Sequence, residues 1–193
     1  MIAMVASVSV YLDTGGANNA PGAETDIDGL GPPNLLHKRA DNPTIDANDP
    51  MIIPAAGTKY SRWKQIYLYC DAAPSLQIDN IKLYTDGGGW GAGITVMVGD
   101  EFPVKNSGSD AGYEVADSND EEMVAGHADI ANSTDLFTFN VGAPLSGSIS
   151  EAGNIINAIG ETSNYFVIQL NLTNAASPAD LAAETITIQY DEI

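Results

Sequence analysis

The chain has 193 residues, 44% of them hydrophobic, and its 26 acidic against 7 basic side chains give a formal charge of -19. That length supports one domain with a core that needs no disulfide or metal staple. The charge leaves no Lys/Arg surface for phosphates or for an anionic membrane, so nucleic acid and membrane are excluded as partners.

Residues 1–10 are apolar, carry no basic side chain and alternate from Val8 onwards. They read as a first strand over residues 5–12 rather than as a signal peptide. Residues 13–58 follow, with six of the ten prolines, six glycines and no sustained apolar period. Ile27, Leu30, Leu35, Leu36, Met51, Ile52 and Ile53 are more apolar matter than a disordered linker carries. The segment is therefore expected to be an ordered arm within a single domain spanning 1–193. It would pack on its own sandwich or clamp a neighbouring subunit.

Strand signals dominate the rest, over residues 64–70, 78–85, 94–99, 136–141, 165–172 and 185–190. Ile186, Ile188 and Tyr190 share one face against polar residues, and Phe166, Ile168, Leu170 and Leu172 share one against Val167, Gln169 and Asn171. Period two with one wet face predicts antiparallel sheets, hence an all-β antiparallel β-sandwich, jelly-roll or immunoglobulin-like. Helix is limited to one or two short pieces. Ser177 can cap a two-turn helix opening at Pro178, and 149–159 is a weaker candidate broken by Gly153.

Few residues carry chemistry. The lone Cys70 lies in an apolar run, where a small buried thiol is the expectation rather than a nucleophile. Gly87-Gly88-Gly89-Trp90-Gly91-Ala92-Gly93 joins two predicted strands. It reads as a hairpin loop and not as a phosphate cradle, which needs a helix after it. Glu24, Asp26, Asp28 and Gly29 resemble the start of a calcium loop, but its twelfth position is Leu35 and no helices flank it. Asp41, Asp46 and Asp49 are read as solvated loop carboxylates, with a calcium site of another kind in the arm as the alternative. His37 and His127 lie ninety residues apart with no Cys pair, so no zinc pattern is present. Asp120-Glu121-Glu122, near His127, reads as a solvated run, and the Asn132 and Asn171 sequons as chance matches. No nucleophile elbow appears. No catalytic, cofactor or metal residue is therefore assigned, and no enzyme is expected.

The strand residues themselves carry a resemblance. Tyr60-Ser61-Arg62-Trp63-Lys64-Gln65-Ile66-Tyr67-Leu68 is followed by Ile78-Asp79-Asn80-Ile81-Lys82-Leu83-Tyr84, the glycine-rich loop and Gly93-Ile94-Thr95-Val96. The pattern closes with Asn164-Tyr165-Phe166-Val167-Ile168-Gln169-Leu170 and Thr185-Ile186-Thr187-Ile188-Gln189-Tyr190-Asp191-Glu192. This resembles a group of tailed-bacteriophage structural proteins over residues 60–100 and 164–193. The resemblance implies a non-enzymatic virion component assembled in the host cytoplasm, a homo-oligomer whose partners are the major capsid protein or other virion proteins. A capsid decoration (cement) protein is the leading expectation, with a neck, tail or fibre component beside it. The alternative from another class is an extracellular carbohydrate- or calcium-binding module using Trp90, Tyr113 and the Asp-rich loops.

Overall fold

The computed structural model describes residues 6–28, 37–42, 50–105, 112–118, 120–178 and 183–193. It is all-β, built from two antiparallel sheets. The large sheet runs β2 (Ala20–Asp26), β1 (Ser7–Ala17), β4 (Lys64–Ala72), β9 (Phe166–Thr173), β6 (Ile94–Gly99) and β7 (Ser133–Asp135). A short strand, β3 (Thr58–Tyr60), pairs with the far end of β9. The small sheet is β10 (Thr187–Glu192), β5 (Ile78–Tyr84) and β8 (Leu145–Ser146). Among the described residues helix is confined to one turn, α1 (Met123–Gly126), and a 3-10 turn at Leu136–Thr138. No helix of the described residues is long and apolar enough to cross a membrane.

Alternation builds the core. Leu12, Ile66, Leu68, Cys70, Val96, Val98, Phe166, Ile168 and Leu170 of the large sheet meet Ile78, Ile81 and Leu83 of the small one. Each such side chain, fully buried, contributes roughly 1.5–3 kcal/mol. In β5 the inward residues are Ile78, Ile81 and Leu83, which breaks strict period two. Asn80 explains the change of phase: it takes φ 51°, and the β5–β10 register shifts beside it, a bulge that returns Ile81 to the core face. The break between β3 and β4 is bridged by Ser61, whose N–H donates to Leu170 O (2.9 Å) and whose Oγ accepts from Leu170 N (3.0 Å).

The large sheet has no wet face at its centre. Trp63, Tyr67, Tyr165 and Val167 point away from the small sheet into a second cluster with Tyr113, Ala116, Met123 and Ile130. Gln169, expected on a polar face, is 1% exposed; its amide donates to Ser61 O and Glu121 O and its oxygen accepts from Met123 N. A covering layer of non-strand chain, drawn from 37–42, 103–105, 112–118 and 120–130, closes over this second core.

Several boundaries differ from those the sequence suggests. The start of the 13–58 segment is sheet: β1 continues to Ala17 and turns at Asn18-Asn19 into β2, with Asn19 at φ 59°. Pro21 is tolerated because β2 is an edge strand. Residues 29–36 and 43–49, including Leu30, Leu35, Leu36, Asp46 and Asp49, lie outside the described residues. The strand expected over 136–141 is instead the 3-10 turn, capped by Asp135, which accepts from Phe137 N (3.0 Å). The candidate helix at 149–159 is a series of turns, with Gly153 and Asn154 at positive φ and Ile156 bridged to Ile78. Most of the candidate helix after Ser177 lies outside the described residues. The glycine-rich loop joins β5 to β6, but these belong to different sheets, so it is a crossover between the layers and not a hairpin.

Candidate functional site: an ionic layer on the outer face of the large sheet

Because side chains alternate along β1, Leu12 enters the inner core and Asp13 faces the covering layer, where it is 2% exposed. Its carboxylate accepts from the Tyr165 hydroxyl, lies 3.3 Å from the Tyr67 hydroxyl and pairs with Lys105 Nζ at 3.3 Å. Lys105 also pairs with Glu24 on β2, and its ammonium sits 4.9 Å above the Tyr67 ring. Tyr67 is also 3.1 Å from Glu24. One lysine from the covering layer is thus held between two carboxylates of the β1–β2 hairpin and two phenol rings of the central strands.

A second centre lies beside the first. Asp41 accepts from Gly15 N (2.6 Å) and from the Tyr113 hydroxyl (3.2 Å), and lies 3.8 Å from Lys64 Nζ. Lys64 is fully buried, and its ammonium has no hydrogen-bond partner among the described residues. Lys38 donates to Asn42, and Arg62 N donates to Lys38 O. The Arg62–Lys38 bond and the bond of Asp41 with Gly15 hold the 37–42 strap to the large sheet, while Lys38–Asn42 is internal to the strap.

Burial dominates the protonation states. It pushes the Asp13 carboxyl up to about 6 in spite of Tyr165 and Lys105, which pull it down. Burial also raises Glu24, but the Lys105 bond and charge outweigh it and hold Glu24 below its ordinary range. Burial raises Tyr67 and Tyr113, helped by the neighbouring carboxylates, so both phenols are neutral donors. Burial lowers Lys64 to about 8 against the pull of Asp41, and lowers His37 to about 3. Three of the seven basic residues, Lys38, Lys64 and Lys105, are buried in this layer, which leaves the outer surface more acidic than the net charge conveys.

A third group flanks these. Gln65, 1% exposed on β4, exchanges bonds with the Glu114 backbone: its amide nitrogen donates to Glu114 O and its oxygen accepts from Glu114 N (3.3 Å). His127 Nε2 lies 3.3 Å from the same oxygen. The Glu114 carboxylate accepts from Ala128 N (3.0 Å), and Asp129 N donates to His127 Nδ1 (3.2 Å). Burial lowers the His127 pKa, against the charges of Glu114 and Asp129.

The residues singled out in the sequence fall in different places. Cys70 is buried and burial raises its thiol, as expected of an inert core cysteine. Asp120-Glu121-Glu122 does not converge on His127: Asp120 pairs with Lys59, Glu121 accepts from Asp117 N, and Glu122 precedes α1. Tyr113 is 1% exposed in the outer core, whereas Trp90 packs edge-on to Phe137 against the inner core. They lie on opposite sides of the large sheet and form no common platform. Glu24 and Asp26 are strand residues, and Asp28 accepts from Val10 N (3.1 Å). The ionic layer itself was missed. Its available signal was the scarcity of cations: with so few bases, a lysine such as Lys105 beside Phe102-Pro103-Val104 is a candidate buried partner.

The fold and this layer define an all-β protein with a buried layer of paired lysines and carboxylates inside an acidic surface. In comparison with known proteins, the chain matches no family model, no curated protein and no solved structure.

Proposed function

We propose that the chain is a structural protein of a tailed-phage particle, acting as a capsid decoration (cement) protein that bridges and stabilises major-capsid subunits. The observation that carries this reading is a group of exposed apolar side chains at one end of an acidic molecule. Leu76, Ile159 and Ile193 are 57–69% exposed. Leu76 N and Gln77 N donate to Ile193 O, Ile78 pairs with Ile156, and Gly160 N donates to Cys70 O, which gathers all three at one end of the sandwich. Large apolar side chains grouped in this way suit a protein surface as partner. The acidic remainder disfavours packaged DNA and so favours an external position.

The phage resemblance falls on β4, β9 and β6 and on β5 and β10, all scaffold strands, so it supports a common framework and leaves the contact surfaces to the loops and ends. A neck, tail or fibre position is the alternative within the same class.

Mixing the purified protein with undecorated capsids and imaging them by cryo-electron microscopy tests this. Regular extra density on the shell, lost in a Leu76→Asp, Ile193→Asp double variant, is the expected result. A bare shell with density at the neck or tail of complete virions moves the assignment there, and absence from every virion overturns it.

A further inference from the structure

The Gln65 amide settles the tautomer of His127. Its two bonds to the Glu114 backbone require the oxygen on one side and the nitrogen on the other. The atom facing His127 Nε2 is therefore an acceptor, so Nε2 carries the proton and Nδ1 holds the lone pair. Asp129 N–H pointing at Nδ1 agrees. Ala128 N, one residue earlier, donates to Glu114 Oε2 and brings that carboxylate to the same turn. One ligand atom each from Glu114, His127 and Asp129 lie within 4.8 Å of one another. In a tetrahedral site with ~2.1 Å bonds such atoms stand about 3.4 Å apart, so the half-buried Glu114 and exposed Asp129 carboxylates must close in on the fixed imidazole.

We propose that Glu114, His127 and Asp129 form a binding site for a first-row divalent metal ion, zinc foremost. One imidazole nitrogen and two carboxylates are a borderline donor set, suited to zinc and its neighbours and poorly suited to calcium or magnesium, which take oxygen alone. The partner behind the imidazole is already in place: the buried Gln65 amide oxygen holds the Nε2 proton, the role a carboxylate or carbonyl plays behind most metal-bound histidines. No Lys or Arg of the described residues forms a salt bridge with either carboxylate. Asp129 is exposed and lines an open cleft of about 360 Å³ with Glu101, Phe102, Pro103, Val104 and Gly112, so the group is open to solvent on the Asp129 side. Metal binding requires the Asp129 N–H to leave the Nδ1 lone pair, a local shift of the 127–130 turn. The ion would tie the 112–118 segment to the 127–130 turn and so fasten the covering layer across Trp63 and Tyr165.

The site stands on its own geometry and does not depend on the particle assignment. The test is calorimetric titration of the chelator-stripped full chain with zinc chloride and, separately, calcium chloride, with a thermal scan of each. One zinc per chain is expected, with a raised midpoint of unfolding, calcium at least tenfold weaker, and zinc affinity reduced tenfold or more in Asp129→Asn and in Glu114→Gln. Asp129 is exposed, so its variant folds even where His127→Gln, at a buried position, does not. Absence of zinc binding to the wild type overturns the proposal. So does calcium binding as tightly as zinc, or affinity unchanged in both carboxylate variants, which would place the ion on the general acidic surface.

Discussion

Tyr165 donates its phenolic hydroxyl to Asp13, 152 residues earlier in the chain, and so joins the central strand β9 to the β1–β2 hairpin across β4. A hydrogen bond to a charged group is worth about 1.5–3 kcal/mol. Tyr165→Phe is therefore expected to lower the unfolding free energy by roughly that amount in a urea titration, with an unchanged m value. A loss under about 0.5 kcal/mol, the scale of neutral surface changes, would remove Asp13 from the groups that hold the layer together.

The same carboxylate sets a pH dependence. Asp13 ionises at about 6 in the fold against its ordinary 3.8. Between those values the folded state binds more protons than the unfolded chain, so stability falls as pH rises from about 4 to 6 and stays low above it. The difference amounts to up to ~3 kcal/mol. Relief of general acidic repulsion acts in the same direction, so the comparison is with Asp13→Asn. Unfolding curves from pH 4 to 7 should converge on a flatter profile in that variant, and parallel profiles would refute the assignment.

Lys64 behaves in the opposite range. Its pKa of about 8 in the fold, against the ordinary 10.5, means that the unfolded chain binds more protons above pH 8. Stability attributable to this group therefore rises with pH from 8 upwards, and below 8 the buried ammonium is a standing cost. Lys64→Met should leave the protein at least as stable at pH 7, because Asp41 keeps its bonds from Gly15 and Tyr113. It should also lack the rise between pH 8 and 9.5, a window below the ordinary tyrosine range. A large loss at pH 7 would show that Asp41 depends on the lysine.

Two glycines of the crossover loop separate backbone strain from steric exclusion. Both Gly91 (φ 96°) and Gly93 (φ 78°) occupy the left-handed region, but a Cβ at Gly91 meets nothing whereas one at Gly93 lies 2.2 Å from Ala176 N. Gly91→Ala is expected to cost about 1–2 kcal/mol, the price of the φ alone. Gly93→Ala must also push the loop off the turn after β9, which accepts no such shift while Thr173 N bonds Gly93 O (2.8 Å). Thermal unfolding of both variants checks the order, and equal midpoints would show that the turn yields freely.

Much of the fold was legible wherever side chains alternate in type. The alternating apolar residues of β9 and the 94–99 run mark strands because β-branched and aromatic residues fit a pleated surface. Their inward faces are as the alternation implies. Ala20–Asp26 was illegible for the converse reason: Ala-Pro-Gly-Ala-Glu-Thr-Asp has no strand propensity and is extended only because β1 pairs with it. Gln169 and Lys64 were illegible in another sense. Alternation places them opposite the inner core but says nothing of what covers that side.

Of the site, the sequence supplied the types and little else. His127 and the adjacent run Asp120-Glu121-Glu122 are visible in the sequence, but Glu114 reaches the imidazole only through tertiary bonds, those of its backbone to Gln65 and of its carboxylate to Ala128 N. The sequence by itself determined the all-β class and the inner core, because period-two burial is a local property of the chain. The outer core, the pairing of Asp13 with Lys105, and the meeting of Glu114, His127 and Asp129 were decided by tertiary structure alone. Those contacts join segments up to 152 residues apart, and which polar residues lose their water depends on what the rest of the chain lays over them.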